Sequence, residues 1–264
     1  MSETKRFTGK TILVTGAAGD IGGATAIRFA REGASVALMD IADMEEILQK
    51  VTDAGASHVQ AYQCDVTNWQ AVEQTVNQMV KDFTRIDMLF NNAGYQGLFE
   101  MTHKYPVEDF SRVMNINVVG AFHVLRAVSV HMAEAGGGAI VNTASMAGVD
   151  GPPNMIAYGT SKFAVIGITK TASKDLAPCH IRVNSISPAF MGPGFMWQRQ
   201  VDLQAEVGSQ YYDSDPKVVA QQMIDQVPLR RYGAIDEIPG TVAYLMSEDA
   251  SYVTGVNIPI SGGI

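Results

Sequence analysis

Seven short runs rich in β-branched and other apolar residues recur along this chain, separated mostly by stretches of helix length. They are TILVT at 11–15, SVALM at 35–39, VQAYQC at 59–64, MLFN at 88–91, AIVNT at 139–143, RVNSIS at 182–187 and VNIPI at 256–260. Two parallel strands in one sheet need a long crossover, and helices between strands supply it. The runs are nearly continuously apolar rather than alternating, as expected for strands covered on both faces. The pattern predicts an α/β fold: one domain over 1–264, built on a doubly wound parallel sheet of about seven strands. No proline- or serine-rich linker, charge run or repeat divides it. One stretch breaks the rhythm. After Pro188, residues 189–228 carry Gly192, Pro193, Gly194 and Pro216 together with Phe195, Trp197, Tyr211 and Tyr212. An insertion of this kind beyond a strand's carboxyl end is expected to form a substrate lid.

Composition narrows the partners. With 19 Lys and Arg against 27 Asp and Glu, the formal charge is −8, which offers no footprint for nucleic acid or an anionic membrane. The start, MSETKRFTGK, has no apolar core of a signal peptide, and no run of eighteen apolar residues appears, so a cytoplasmic protein is expected. The two cysteines, Cys64 and Cys179, read as reduced thiols, and the five histidines lack paired metal-ligand spacing, so no metal site is expected.

Gly16, Gly19 and Gly22 follow the first strand and open the first helix, with Asp20 and Ile21 in its leading turn. Glycines there let the chain turn sharply and let a pyrophosphate approach the N–H groups at the helix's positive end. The second strand ends at Asp40, where a carboxylate can accept from both adenosine ribose hydroxyls and repel a 2′-phosphate. The cofactor expected is therefore NAD rather than NADP, in a Rossmann-like fold. Asp65 and Val66 after the third strand, and Asn91, Ala93 and Gly94 at the end of the fourth, belong to the same sheet edge, where ligands of such sheets bind. Asp65 suits the adenine amino group, and the small Ala93 and Gly94 let a cofactor lie close. Taken singly, either of the last two segments reads better as turn chemistry; their agreement favours the cofactor.

Tyr158 and Lys162 stand at i and i+4, on one helix face, downstream of Ser145. A phenol with a pKa near 10 needs help to take a proton from an alcohol at neutrality. Lys162 and a positive nicotinamide both favour phenolate, so a lowered Tyr158 pKa is expected. Ser145 is suited to hydrogen-bonding the substrate oxygen as charge develops on it. TGAAGDIG, NNAG, NINVVG, Ser145 and Tyr158-Gly-Thr-Ser-Lys162 together resemble the short-chain dehydrogenase/reductase family, across essentially the whole chain. That resemblance implies strand order 3-2-1-4-5-6-7 and hydride transfer at an alcohol or carbonyl carbon. It also implies that Asn117 anchors a water chain to Lys162. By the same resemblance, Pro188 and the backbone of Phe190 and Met191 are expected to serve the nicotinamide side. Ala189 replaces the family's usual glycine, and the common threonine nearby is missing from FMGPGF.

NNAGYQG, TASMAGVDGPPNMIAYGTSK and SPAFMGPGFMWQRQV further resemble the family's xylitol dehydrogenase branch, which implies a polyol interconverted with its ketose, as xylitol with D-xylulose. Ser145, Gln96, Asn154 and Tyr158 supply the polar groups a polyol needs, with Met146 beside them. Met146, Pro152, Pro153, Met155, Phe195, Met196 and Trp197 equally suit a more apolar alcohol. A 3-oxoacyl substrate is disfavoured by Asp40 and the acidic balance, and a non-catalytic NAD-binding sensor by the retained tyrosine and lysine. The stretches 109–134 and 158–177 are apolar around more of the helix than one buried stripe requires, notably at Phe110, Val113, Val118, Phe122, Phe163, Val165 and Ile168. With the family resemblance, and with NIPISGGI at the C-terminal end as a second contact, they imply a homotetramer of dihedral symmetry.

Overall fold

The computed structural model describes residues 5–264. Its seven strands are β1 (Thr11–Thr15), β2 (Ser35–Asp40), β3 (Val59–Gln63), β4 (Met88–Asn91), β5 (Gly138–Thr143), β6 (Ile181–Pro188) and β7 (Asn257–Ile260). They form one sheet in the order β3-β2-β1-β4-β5-β6-β7, and every adjacent pair is parallel. The alternation of Cβ directions along each strand splits the core in two. Ile12 and Val14 of β1 face a layer built from α1 (Asp20–Arg31), α2 (Glu45–Asp53) and α9 (Pro239–Met246), with Phe29, Val51, Val242 and Leu245 inside it. Leu13 faces the opposite layer, from α3 (Trp69–Phe83), α5 (Ala121–Glu134) and α6 (Ile156–Leu176), with Val76, Met79, Val128 and Met132 inside it. Burial on both faces explains why the strands read as unbroken apolar runs.

Helix α4 (Val107–Met114) continues into α5 through a six-residue π-helical segment, Asn115–Gly120. The whole run Val107–Glu134 is long and apolar enough by composition to span a membrane. Its apolar residues have another use: Val113, Val124, Val128 and Met132 are buried within the protein. The stretch 189–228 is not irregular throughout. It folds into α7 (Phe195–Glu206) and α8 (Pro216–Gln226), which share a small core of Val201, Ala205, Val219 and Met223. Asp215 caps α8 by accepting from the Lys217 N–H at 2.9 Å. The glycines and prolines that broke the pattern lie between these helices and at their starts. The strand order reverses between β1 and β4, so their carboxyl ends open a crevice, the place where open sheets of this type hold ligands.

Candidate active site

A cleft of about 790 Å³ occupies that crevice. At one end is the β1–α1 turn. Gly16 has φ +65°, and a Cβ there would stand 2.9 Å from Ala93 Cα. Gly22 packs the helix onto the turn so closely that a Cβ would lie 2.1 Å from the Gly16 carbonyl oxygen. Gly22 therefore does not itself line the cleft; it sets the position of the helix. Gly19 N-caps α1 with no side-chain cap, leaving leading N–H groups available to an anion. Gly16, Gly19, Asp20 and Ile21 all line the cleft.

Asp40 closes β2. Its Oδ2 accepts from Ala18 N–H and its Oδ1 from Ala42 N–H, both at 3.0 Å. Each oxygen keeps a lone pair for a further donor. Asp65 Oδ1 accepts from the Thr67 backbone and hydroxyl at 2.9 and 2.8 Å. Asp65, Val66 and the 63 % exposed Ile41 border the same end, which gives a planar base both apolar and acceptor surface. The residues present thus fit a dinucleotide: bare helix N–H groups for pyrophosphate, a carboxylate for a ribose, and an apolar rim for a base.

Four sequence expectations need correction here. Asn91 turns inward. It is buried, donates to the Ala121 carbonyl at 2.8 Å and to Asn142 Oδ1 at 3.1 Å, and ties the sheet to the helices. Its neighbour Asn92, passed over in the sequence, lines the cleft and stitches β1, β4 and β5 together. Its amide donates to the Thr15 carbonyl at 3.2 Å and its oxygen accepts from Thr143 Oγ1 at 3.1 Å. Strand parity was the available signal, since consecutive residues face opposite ways. Phe190 also faces away: its carbonyl accepts from Gly233 N–H and its ring packs on Trp197. Gly192 N–H donates to the Gly233 carbonyl, so the backbone groups of Met191 between them point to the other side. Of the two residues, Met191 lines the cleft. Third, Asn154 is not part of the cleft wall. Its amide donates to Gln204 Oε1 at 2.8 Å and Ser209 Oγ at 3.0 Å, tying the 150s loop to α7. Met146 likewise stands outside the wall, in the turn Met146–Gly148.

That turn brings the chemical groups together. Ser145 caps it, accepting from Ala147 N–H at 3.1 Å, while its hydroxyl donates to the Pro188 carbonyl at 3.3 Å. Gly148 presses on α6 so tightly that a Cβ would stand 2.5 Å from the Lys162 carbonyl carbon. Ser145 is thereby held beside Tyr158. Burial pushes the Tyr158 phenol above its ordinary value, with the Ser145 hydroxyl opposing. The expected lowering is absent from the protein's own frame. The reason is geometric: Lys162 Nζ lies 5.4 Å from the Tyr158 ring centroid and donates to the Thr143 carbonyl at 2.8 Å. Burial also pulls the Lys162 ammonium down, to about 8. Asn117, in the π segment and 1 % exposed, does not reach the cleft. Its Oδ1 accepts from Tyr95 N–H at 2.7 Å, and its amide donates to the Tyr95 carbonyl at 2.8 Å and to Ser161 Oγ at 2.9 Å. It fixes the loop after β4 onto the catalytic helix.

Beyond Gly94, Gln96 lines the cleft with Met191, Pro193, Met196 and Trp197. The apolar wall expected from the sequence shrinks to Met196 and Trp197; Phe195 is 73 % exposed, and Pro152, Pro153 and Met155 lie outside it. Arg112, unremarked in the sequence, also borders the cleft, with its guanidinium 4.6 Å over the Tyr95 ring.

The sequence pattern of the short chain dehydrogenases matches residues 10–204, most of the chain. The chain belongs to that family. Among its relatives, levodione reductase of Leifsonia aquatica is 36 % identical over 99 % of this chain and 96 % of its own length. The 3-oxoacyl-[acyl-carrier-protein] reductase FabG of Thermotoga maritima is 34 % identical over 98 % and 99 %. Among solved structures, an NAD+-bound xylitol dehydrogenase is 60 % identical with a TM-score of 0.97, covering 98 % of this chain and all of the other. Membership makes the chain an oxidoreductase and agrees with the strand order found here.

Proposed function

We propose that this chain is an NAD-dependent polyol dehydrogenase that interconverts xylitol and D-xylulose. The 60 % likeness to the xylitol dehydrogenase structure, maintained over nearly the whole chain, carries the reading. The carboxylate of Asp40 at the ribose end supports NAD as the cofactor. When bound, NAD supplies the hydride acceptor. Asp40 accepts from the adenosine ribose, and the uncapped N–H groups of α1 hold the pyrophosphate. Ser145 donates to the substrate oxygen, and Tyr158 takes the hydroxyl proton in oxidation and returns it in reduction. Lys162 holds the nicotinamide ribose. α7 and α8 form the lid over the substrate end, and four copies associate through α5 and α6.

Purified protein given NAD+ and xylitol is expected to form NADH, with D-xylulose as the product. No NADH from xylitol, beside robust turnover of a lipophilic alcohol, would overturn the substrate. Met191, Met196 and Trp197 favour that second outcome, a cyclic ketone or its alcohol, as the one competing reading. The cofactor is tested separately. Asp40→Ser removes the charge facing the 2′ position, so kcat/KM with NAD relative to NADP is expected to fall at least about tenfold, about 1.4 kcal/mol. An unchanged ratio would remove Asp40 from cofactor selection.

A further inference from the structure

The lid helix α7 reaches back into the cleft through one arginine. Arg199 Nη1 donates to Gln96 Oε1 at 3.1 Å, and Nη2 donates to the Gly97 carbonyl at 3.0 Å. No larger residue fits in place of Gly97: it has φ +73°, and a Cβ would stand 2.6 Å from Val113 and 2.8 Å from the Tyr105 hydroxyl. Arg199 makes no ion pair among the described residues. Two of its five N–H donors go to two oxygens of the loop after β4.

A guanidinium has donors and no acceptor, so the atom of Gln96 that faces it must be the amide oxygen. The amide nitrogen is then forced to the other side. Gln96 is 6 % exposed and lines the cleft. Among the described residues its Nε2 has a single partner, Gln200 Oε1 at the long distance of 3.5 Å. One N–H is weakly satisfied and the second has no acceptor. A buried donor in this state favours an oxygen lone pair brought by a ligand.

We infer that Arg199 orients Gln96 so that its amide N–H₂ meets a second hydroxyl oxygen of the substrate, and that this fixed donor selects hydroxyl-bearing alcohols over bare ones. The inference rests on the polyol reading of the site. Arg199 is a positioning residue; Gln96 makes the contact. An unrestrained glutamine would present its carbonyl or its amide with little preference, and discrimination would weaken.

The test compares xylitol with 2-pentanol, a five-carbon secondary alcohol without the additional hydroxyls, in wild type, Gln96→Glu, Gln96→Leu and Arg199→Met. Gln96→Glu keeps an acceptor for Arg199, and so the tie to the lid, but carries no N–H. Its xylitol KM is expected to rise at least about fivefold, the loss of one hydrogen bond to a buried donor. The kcat/KM ratio of xylitol to 2-pentanol is expected to fall by a similar factor. Arg199→Met should lower the same ratio, and melting temperatures identify any variant that fails to fold. A merely structural role for the clasp would weaken both substrates together and spare Gln96→Glu. That result, or an unchanged xylitol KM in Gln96→Glu, overturns the inference while leaving xylitol as the substrate. If the wild type ignores xylitol but oxidises another hydroxyl-bearing alcohol, xylitol falls as substrate and Gln96→Glu is judged on that alcohol. If it oxidises only bare alcohols, both fall.

Discussion

At the scale of single residues, the pair Tyr158 and Lys162 was legible because helix periodicity alone places i and i+4 together. Its electrostatics were not. A sequence shows that an ammonium and a phenol are neighbours, but not that both are desolvated, nor that the ammonium hydrogen-bonds the Thr143 carbonyl. Burial dominates each: the phenol is pushed up and the ammonium pulled down to about 8. For the phenol, the base needed for oxidation is scarce at neutrality. Oxidation kcat/KM should therefore climb with pH between about 6 and 9, and a flat profile would exclude Tyr158 as the group that titrates. For the lysine, a native value below the ordinary 10.5 means the unfolded chain binds more protons between about 8 and 10.5. Stability rises with pH in that window, and the cost of the buried charge is fully present below it. A drop from 10.5 to about 8 corresponds to about 3 kcal/mol, at about 1.4 kcal/mol per unit. Lys162→Met removes that cost and leaves the Thr143 carbonyl unpaired, which costs about 1 to 3 kcal/mol. The variant is expected to lose activity at least about a thousandfold yet melt no lower than wild type at pH 7, measured by calorimetry. A large loss of melting temperature would show the ammonium to be stabilising the fold.

At the scale of elements, strands were easier to read than their connections. A buried parallel strand is a contiguous apolar run, so β1 and β4 match their sequence segments end to end. α7 and α8 were hidden because glycine and proline at their starts look like loop, while their apolar positions face a small local core rather than the sheet. The π segment Asn115–Gly120 was visible in the sequence as little more than an asparagine poorly placed in a helix. Such segments concentrate at functional sites because the widened turn redirects side chains. Here it turns Asn117 inward onto Tyr95 and Ser161, and Ser161 Oγ in turn donates to the Tyr158 carbonyl at 2.7 Å. Asn117→Ala would strip three hydrogen bonds from a buried site. The expected loss is about 2 to 4 kcal/mol in denaturant unfolding, together with a fall in kcat of at least about tenfold as the loop after β4 loosens from the catalytic helix. Normal kcat in a destabilised variant would confine Asn117 to a role in folding.

At the scale of the whole molecule, the apolar surplus on the long helices divides into an inner and an outer part that composition alone could not separate. Val113 and Val165 are 0 and 3 % exposed and belong to the subunit's own interior. Phe122 and Phe163 are 49 and 48 % exposed, on α5 and α6, with Val119 and Val130 also open at 40 and 47 %. Two large rings left half in water on adjacent helices represent hydrophobic free energy that the single chain does not recover, at roughly 25 cal/mol for each Å² covered. A two-fold axis beside them would cover both with one operation, because each copy presents the same patch to the other. That axis alone pairs two copies; with the second contact expected at the C-terminal segment 257–264, light scattering at micromolar concentration is expected to give four times the chain mass. Phe122→Glu combined with Phe163→Glu would set four like charges against one another across the axis, and that protein should fall to dimers held by the other interface, with its far-ultraviolet circular dichroism unchanged. A wild type that scatters as a monomer would show that these rings tolerate water. A double variant that stays tetrameric would move the interface to another face of the subunit.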